Sequence, residues 1–583
     1  MAIDILCLPV RWDRAGVRVG SQSVKLEHMK LETAERWVVL ALLVTSLTAC
    51  RSSGTRPVEP REPFVPTAPP RAVAADVRDF GARGSGRSDD SAAIERAIDW
   101  ACSLAGARGA RVYFPPGEYY SRPIQLRSHL TLELEAGATL RFSTDFSDYP
   151  LTLARWEGTE CYNFRPPIYG RDLIDVAITG RGAIDGRGDA WYPMRRHARE
   201  SSDRLRDMGE RGVPVEERRF GTAEAGLRPS LIQFWDCRKV LVEGVEIRNS
   251  PMWTVHPVYS RELVFRDLLI RGDGPNTDGI NPDSCEQVLI ERCDIATDDD
   301  SIAIKSGRDR DGRRVNRPSR DIVIRDCRFA RGHSGVAIGS ETSGGVSNVR
   351  ISDCTCDGTN AGILIKTQRG RGGVVEGVLA ERITLKDVKR DGLMISMRYN
   401  LSQPEPNSER TPTVRDVTYR DIRGTSEQRA GRLIGLEEQD VTKVRLERVD
   451  LDARDGLACR WTGDVEMKDV SVRVQRGPAL ECADSHELRV DGLSASRSTG
   501  DTRGPFIEII DVQGMSVRGV TAPKDMTGEL VRATGPETRD LNLDVDGTES
   551  RVVHQTERDA PIIAVTTQPA TTAASGPSTA PED

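Results

Sequence analysis

The chain of 583 residues has few aromatic residues and little net charge. Phenylalanine, tryptophan and tyrosine make up 5% of the sequence, and the formal net charge is only −7. A charge this small for the length gives no general attraction for nucleic acid or any other polyanion, so attraction for a charged ligand must be local. Hydrophobic residues at 38%, charged residues at 29%, 53 glycines and 32 prolines are typical of a soluble globular protein rich in turns.

The N-terminal apolar run, Trp37 to Leu47, is too short for a spanning helix. It ends in Leu47-Thr48-Ala49-Cys50, which resembles a bacterial lipoprotein signal. We therefore expect export and lipidation of Cys50, which would anchor the protein to the periplasmic or outer face of a bacterial membrane. An ordinary secretory signal is the alternative. Met29 begins a more conventional signal than Met1, so residues 1–28 are a candidate mis-called start.

The twelve cysteines contain no Cys-x-x-Cys pair, so a metal site is not predicted. Ten remain when Cys7 and Cys50 are set aside. Several of these fall at apolar positions of the repeat described next, which favours free buried thiols over disulfides.

The sequence repeats an apolar template at positions 0, 2, 5 and 7. It starts at Val240, Leu263, Val288, Ile322 and Val349, with spacings of 23 to 34 residues, and continues at Val378, Val417, Val444, Val465, Leu488 and Met515. Alternation with one extra residue in the middle indicates two short strands that meet at a bend. A further strand follows about fourteen residues after each start, as in Ile302-Ala303-Ile304. Each coil therefore has at least three strands.

Equal coils at this spacing predict an all-β, single-stranded parallel β-helix. We assign it to residues 75–545, after a signal region at 1–50 and a flexible linker at 51–74, with a low-complexity disordered tail at 546–583. A helical N-terminal cap is expected where Asp89-Asp90-Ser91 precedes Ala92, Ile94, Ala97, Ile98 and Ala101. A leucine-rich solenoid is the competing architecture, but its asparagine ladder and leucine signature are absent.

Residues able to do acid–base chemistry recur at similar offsets from the starts of five consecutive coils. The offsets are 11 for Asp299 and His333, 12 for Asp300, 15 for Asp278, 16 for His256 and 17 for Lys366. Because coils stack at about 4.8 Å, these residues should form one surface patch with its carboxylates roughly 5 to 10 Å apart. Crowded carboxylates raise at least one pKa, which a general acid needs.

Each residue also has an ordinary structural interpretation. The Asp298-Asp299-Asp300 triplet alone is typical of a solvated turn or a calcium loop. His333, which follows a glycine, fits a turn, and Lys366 fits a solvent-facing strand end. Their similar offsets in consecutive coils favour a functional site over these structural interpretations.

Four motifs, in order, resemble those of glycoside hydrolase family 28, the polygalacturonases. They are Asn276-Thr277-Asp278-Gly279, Asp299-Asp300, Gly332-His333-Ser334 and Ile365-Lys366, and the resemblance is clear from about residue 75 to 400. It implies a right-handed, pectin-lyase-like β-helix and a monomeric enzyme without a cofactor. The implied partner is an acidic pectin-type polysaccharide, and membrane contact would be made only through the lipid.

The resemblance also implies a role for each residue. Asp299 would protonate the leaving glycosidic oxygen, while Asp278 and Asp300 would activate water on the opposite face, with inversion. His333 would tune the acid, and Lys366 would bind a substrate carboxylate.

Two residues depart from the family pattern. Leu364 stands where an Arg-Ile-Lys motif has arginine, so the bidentate contact is missing unless Arg369 or Arg371 replaces it. Ser334 ends a motif that usually reads Gly-His-Gly, which changes the freedom of the backbone beside the histidine.

Other substrate contacts are predicted less directly. Asn276 belongs to the first motif, His256 is a candidate hydrogen-bonding partner, and Trp253, Tyr399 and Trp191 are candidate sugar platforms. A structural role is the alternative for His256, and a core position for the aromatic residues. The arginine-rich insertion from Arg187 to Arg228 is expected to form a wall beside the cleft, with a solvated loop as the alternative.

Two other functions fit the same solenoid. A pectate or rhamnogalacturonan lyase would use acidic residues to hold calcium, and a carbohydrate-binding β-helix would have no activity.

Overall fold

A computed structural model describes residues 10–13, 16–19, 22–24, 73–400, 402–497, 504–521, 528–545, 552–555 and 563–566. The chain divides into two compact units, Met1–Val58 and Glu59–Asp583. In the first unit, three short strands form an antiparallel sheet: Val10–Asp13, Gly16–Val19 and Gln22–Val24. Cys50, the apolar run before it and the predicted linker up to residue 72 lie outside the described residues.

The second unit is a right-handed parallel β-helix, as predicted, in which each coil adds a strand to three parallel ladders. The first ladder contains Val73–Asp76, Ala110–Phe114, Leu130–Leu134, Ile174–Gly180, Arg238–Glu243, Arg261–Arg266, Glu286–Glu291, Ser319–Arg325 and Val346–Ser352. The second contains Ser85–Asp89, Gly117–Ser121, Ala138–Phe142, Ala183–Asp185, Glu246–Arg248, Leu269–Arg271, Asp294–Ala296, Arg328–Ala330 and Thr355–Asp357. The third contains Ile124–Gln125, Ile168–Arg171, Ile232–Trp235, Val255–Val258, Ile302–Ile304, Ser334–Gly339, Ala361–Lys366 and Asp391–Ser396.

In the later coils, single strands pass through the bends and join more than one ladder. They are Val374–Val388, Thr413–Ile434, Val441–Arg460, Thr462–Val474, Leu480–Arg497 and Ile507–Val520, followed by the shorter Val531–Thr534 and Arg539–Val545. Two more strands, Val552–Gln555 and Ile563–Thr566, pair in parallel with preceding coils. They lie in the segment for which the sequence predicted a disordered tail.

The apolar template is explained by the register of the first two ladders. Val240, Leu263 and Val288 are paired directly across neighbouring coils and are fully buried. The extra residue at position 4 is the bend itself: Asp267 has φ 55° and Arg292 has φ 51°. A left-handed residue turns the chain between the two strands, so the inward-facing positions shift from even to odd.

The cysteines at position 5 lie inside the β-helix, as predicted. Cys293, Cys327 and Cys354 stack on consecutive coils, and all three are buried. Each of the ten cysteines among the described residues is free of a disulfide.

Helices occur mainly outside the coils. They are α1 (Ser91–Ala105), α2 (Gly188–Trp191), α3 (Arg195–Arg211) and α4 (Asp309–Val315), with 3₁₀ turns at Val77–Phe80, Gly106–Arg108, Phe146–Asp148, Tyr192–Met194 and Val215–Glu217. Helix α1 contacts the first two strands of the first ladder. Its buried face includes Ala93 rather than the predicted Ala92, which is exposed. Within the described part of the chain, no helix is long and apolar enough to span a membrane.

A β-hairpin also projects from the coils. Its strands, Leu151–Trp156 and Thr159–Phe164, are antiparallel. The hairpin is tied to the β-helix by Arg155, whose buried guanidinium donates to Asp283 Oδ1 at 2.8 Å and to Ser284 Oγ at 2.9 Å.

Candidate active site

Asp278, Asp299 and Asp300 lie together at the start of the third ladder. One carboxylate oxygen from each lies within 4.8 Å of the others. The backbone N–H of Gly279 donates to Asp300 O, and Ile280 pairs with Ile302, so Asp278 and Asp300 occupy equivalent positions on neighbouring coils. The three carboxyl groups therefore form one crowded acidic cluster.

This geometry explains why the sequence offsets of Asp278 and Asp300 differ. The offsets of Asp278 and Asp300 differ by three residues, yet their positions coincide because the bend before Asp278 is longer. That bend covers residues 272–277, whereas residues 297–299 suffice in the next coil. One oxygen of each carboxylate lies within 4.8 Å of the others, at the short end of the predicted spacing of roughly 5 to 10 Å.

His333, which lies on the coil after Asp299, is paired with the Asp299 carboxylate. The distance from His333 Nδ1 to Asp299 Oδ1 is 2.9 Å, and the His333 backbone N–H donates to Asp299 O at 3.1 Å. The hydrogen bond raises the pKa of the imidazole. Burial raises the pKa of Asp299, but the hydrogen bond and charge of His333 outweigh it and lower that pKa to about 2. In the free protein Asp299 is therefore ionised.

Asp300 is held from two sides. Lys366 Nζ donates to Oδ2 at 2.7 Å, and Ser334 Oγ donates to Oδ1 at 2.6 Å. Burial alone would lower the pKa of Lys366, but the charge of Asp300 raises it. Ser334, which departs from the family motif, therefore binds a catalytic-site carboxylate. Lys366 binds Asp300 of the protein in addition to any substrate carboxylate.

Asp278 is buried and holds its proton more tightly than an ordinary carboxyl group. Burial and the charge of Asp299 raise its pKa well above the usual value. Asn281 Nδ2 donates to its Oδ2 at 2.9 Å, and Lys305 Nζ lies 3.8 Å from the same atom. The directions of these shifts place the proton of the free cluster on Asp278 rather than on Asp299.

Lys305 is a site residue that the sequence analysis did not identify. Its buried ammonium lies 3.2 Å from Glu341 Oε2 and 4.5 Å from the centre of the Trp253 ring. A signal was present in the sequence, because Lys305 lies 17 residues after the coil start at Val288 and thus has the same offset as Lys366.

The predicted partners His256 and Trp253 are covered by protein. His256 is fully buried; its Nδ1 lies within hydrogen-bond distance of Ser230 and Gln233, and its Nε2 lies 3.4 Å from Asp283 Oδ2. Trp253 packs against the His256 imidazole with 4.8 Å between ring centres. These positions favour the structural alternatives.

Trp191 is also in the core, where it packs edge-on against Tyr149 and Phe164. Asn276 is half-buried and accepts a hydrogen bond of 2.8 Å from Arg228 Nη2. Arg228 donates to Pro275 O as well, so it holds the bend that leads to Asp278. Tyr399 is 49% exposed, and Lys366 Nζ lies 5.3 Å from its ring centre.

The two arginines predicted to replace the missing family arginine are already paired. Arg369 binds Glu437 and Glu438, with Arg369 Nη2 donating to Glu438 Oε2 at 2.6 Å. Arg371 is buried, forms an ion pair with Asp309 and donates to Ser340 O at 2.9 Å. In the free protein neither guanidinium is available for a bidentate contact with a substrate carboxylate.

The insertion packs beside the third ladder and contacts coils on both sides of the cluster, since Glu210 of α3 pairs with Arg410 at 2.9 Å. It shares a buried apolar cluster with the hairpin and with the coil that precedes Asp278: Trp156, Cys161, Leu205, Phe220, Leu227, Met252 and Trp253. Arg218 of the insertion forms a buried ion pair of 2.8 Å with Asp311 of α4, and Arg206 of α3 pairs with Glu157 at 2.7 Å. The insertion is thus a folded cover rather than a solvated loop.

Comparison with known proteins gives concordant matches. The model of glycosyl hydrolases family 28 matches residues 220–473, and that of rhamnogalacturonase A/epimerase, pectate lyase-like, matches residues 74–148. A probable polygalacturonase of Vitis vinifera is 32% identical over 407 residues, which are 68% of this chain and 78% of that protein. An exo-poly-alpha-D-galacturonosidase of Dickeya chrysanthemi is 23% identical, over 70% of this chain and 71% of the relative. The crystal structure of a hyperthermoactive exopolygalacturonase from Thermotoga maritima is 37% identical with a TM-score of 0.66, covering 70% of this chain and 94% of that one.

Proposed function

Because the chain belongs to family 28 of the glycosyl hydrolases and is a polygalacturonase-like glycosidase of pectin, we propose that it hydrolyses acidic pectic chains with inversion at Asp278, Asp299 and Asp300. The observation that carries this proposal is the convergence of the three carboxylates with His333 and Lys366 on four consecutive coils.

In the proposed reaction, Asp299 donates a proton to the leaving glycosidic oxygen. Asp278 and Asp300 orient a water molecule on the opposite face, and one of them accepts its proton as the water attacks the sugar. The free cluster carries its proton on Asp278. A bound sugar displaces water from Asp299, which raises the pKa of that carboxyl group and lets the proton move to it.

The stereochemical test is proton NMR of freshly released product from an oligogalacturonate of defined length. Inversion gives one anomer first, before mutarotation. A retained anomer is the result that would overturn the assignment. An unsaturated product that absorbs ultraviolet light would instead indicate a lyase.

We also propose that the enzyme attacks chain ends. On the N-terminal side of the cluster, Ser230, Gln233 and Trp253, which lie in or just before third-ladder strands, are all buried, and Trp253 shares an apolar core with the insertion and the hairpin. On the C-terminal side, Tyr399 is 49% exposed. A cleft closed on one side accommodates the end of a polymer but not its middle.

Product analysis over the first few per cent of reaction tests this proposal. End-wise attack releases a single short product while the viscosity of polygalacturonate falls slowly. A ladder of oligosaccharides with a rapid fall in viscosity would contradict it. Deleting the insertion is unsuitable as a control because its residues share a core with Trp253.

For the cellular location, we propose a monomer anchored to a bacterial membrane through a lipid on Cys50, supported by the Leu-Thr-Ala-Cys sequence. Mass spectrometry of the mature N-terminus would detect the lipid, and Cys50→Ser should release the protein into the soluble fraction. Light scattering of the solubilised protein measures its oligomeric state. An unmodified Cys50, or release unaffected by the substitution, would refute the anchor.

A further inference from the structure

The open side of the cleft continues onto coils beyond the family's catalytic motifs. Register pairs Lys366 with Ser396, Ser396 with Ile434 and Ile434 with Arg460, so Arg460 lies three coils after Lys366 on the same edge of the third ladder. At about 4.8 Å per coil, the axial separation is about 14 Å. This edge therefore lies beyond the sugar units that contact the catalytic carboxylates.

Two arginines on this edge are held against one aromatic ring. Arg398 Cζ lies 4.8 Å and Arg460 Cζ 4.3 Å from the ring centre of Trp461. Trp461 has φ 52° in the bend between two strands, which directs the chain around the edge at this point. The ring restricts both guanidiniums to a small region, so they lose less freedom when they bind a ligand.

Both guanidiniums retain unused hydrogen-bond donors. Arg398 Nη1 donates to Glu437 Oε1 at 3.0 Å, and Arg460 Nε donates to Asp484 Oδ2 at 2.8 Å. An arginine side chain has five N–H donors. Among the described residues, no acceptor for the remaining guanidinium donors of these two arginines is present. A planar carboxylate is the ligand that matches such donors.

The edge is physically continuous with the catalytic cluster. Asp300 contacts Lys366, Lys366 lies over Tyr399, and Arg398 is the residue next to Tyr399. Pectin carries carboxylates, and position 364 has no arginine to bind one. Arg369 and Arg371 are already paired with protein carboxylates, so other cations must bind those of the substrate.

We propose that Arg398, Trp461 and Arg460 form a distal subsite that binds the carboxylate of a uronic-acid residue in a long pectic chain. The subsite rests on the proposed function, because it extends the open side of the same cleft. Arg460 lies about 14 Å along the axis from Lys366, beyond the reach of a disaccharide bound at the cluster. The subsite therefore selects for chain length and for charge without taking part in bond cleavage.

The test compares galacturonate oligomers from dimer to long polymer as substrates for the Arg398→Gln/Arg460→Gln variant. The variant loses two partly exposed, charge-assisted contacts with substrate carboxylates. We therefore expect its KM for long chains to rise about tenfold and its kcat to stay unchanged. The dimer should be cleaved with the parent's kinetics. On methyl-esterified chains, which lack the carboxylate charge, the variant and the parent should have the same KM.

Arg448→Gln is the matched control. Arg448 has the same side-chain exposure as Arg460, 52%, and is likewise bound to one aspartate, Asp421. It lies at the bend between the first and second ladders, away from the cleft. Circular dichroism and a melting curve check that each variant folds, and the single Arg460→Gln variant replaces the double one if the latter is unfolded.

Equal changes for dimer and polymer, an equal effect of the control, or an effect that persists on esterified chains would each overturn the subsite. If the parent protein does not hydrolyse polygalacturonate at all, the proposed function fails instead. The two failures are therefore distinguishable.

Discussion

Replacing Lys305 with methionine should shift the pH dependence of catalysis. The Lys305 ammonium is buried between Asp278 Oδ2 at 3.8 Å and Glu341 Oε2 at 3.2 Å. It is among the charges that lower the pKa of Asp278, which burial and Asp299 raise. Without the cation, Asp278 holds its proton to a still higher pH. Since the proposed reaction needs an ionised Asp278, activity at low pH must fall.

The size of the shift follows from the distance. Two unit charges about 4 Å apart attract by about 4 kcal/mol at an effective dielectric constant of 20, and structural relaxation reduces the difference that is observed. One pH unit corresponds to about 1.4 kcal/mol, so the acid limb of the kcat/KM profile should move upward by about one unit or more. The methionine side chain keeps most of the volume that packs against Trp253.

The assay is the pH profile of kcat/KM on a short oligogalacturonate, measured beside a melting curve. Glu341 keeps its buried ion pair with Arg308 at 2.6 Å, so the loss of stability should be below the about 3–5 kcal/mol typical of a buried charge left without a partner. Lys386→Met, at an exposed lysine paired with Asp357, is the control. An acid limb that stays in place in the folded variant would refute the role given to Lys305.

Three further outcomes follow from the structure. Phe265→Ala, at a fully buried coil position, should lower the free energy of unfolding by about 3–5 kcal/mol, measured by denaturant titration; a loss below about 1 kcal/mol would mean that the coils repack. Arg155→Leu leaves Asp283 buried without its 2.8 Å partner and should cost about 3–5 kcal/mol by the same assay, and equal stability of variant and parent would contradict this. A chelator should leave the initial rate unchanged because Lys366 already compensates Asp300; a loss restored by calcium would contradict this expectation.

The β-helix was predictable because every coil must place apolar side chains at the same inward-facing positions. A coil buries one apolar side chain at each inward position, so the template of positions 0, 2, 5 and 7 repeats wherever the coil does. Leu263 and Val288 illustrate this, since their predicted stacking is the observed register. The bend residue was also visible, as the extra residue in the template, because a left-handed backbone there changes the facing of the chain.

The arrangement of the cluster was only partly predictable. Offsets counted from a coil start assume equal bends, and the longer bend before Asp278 violated that assumption. Burial of His256 and Trp253 depends on an insertion whose fold has no repeat to reveal it. Lys305 was missed because a lysine after an apolar strand is ordinarily solvent-exposed, and only its neighbours Asp278 and Glu341 make it a buried counter-charge.

The chemistry and the substrate length preference of this protein thus arise from different parts of the chain. The carboxylates come from two neighbouring coils, where stacking at about 4.8 Å brings residues 278 and 300 together whatever lies elsewhere. The closed side of the cleft depends on the insertion, which covers Trp253, and the open side depends on how many coils follow Tyr399. Because a solenoid coil contacts only its neighbours, a change at Arg460 has no direct route to Asp299, which lies five coils away. Substitutions on the later coils should therefore alter which chains are bound while leaving the rate of bond cleavage in the shortest substrate intact.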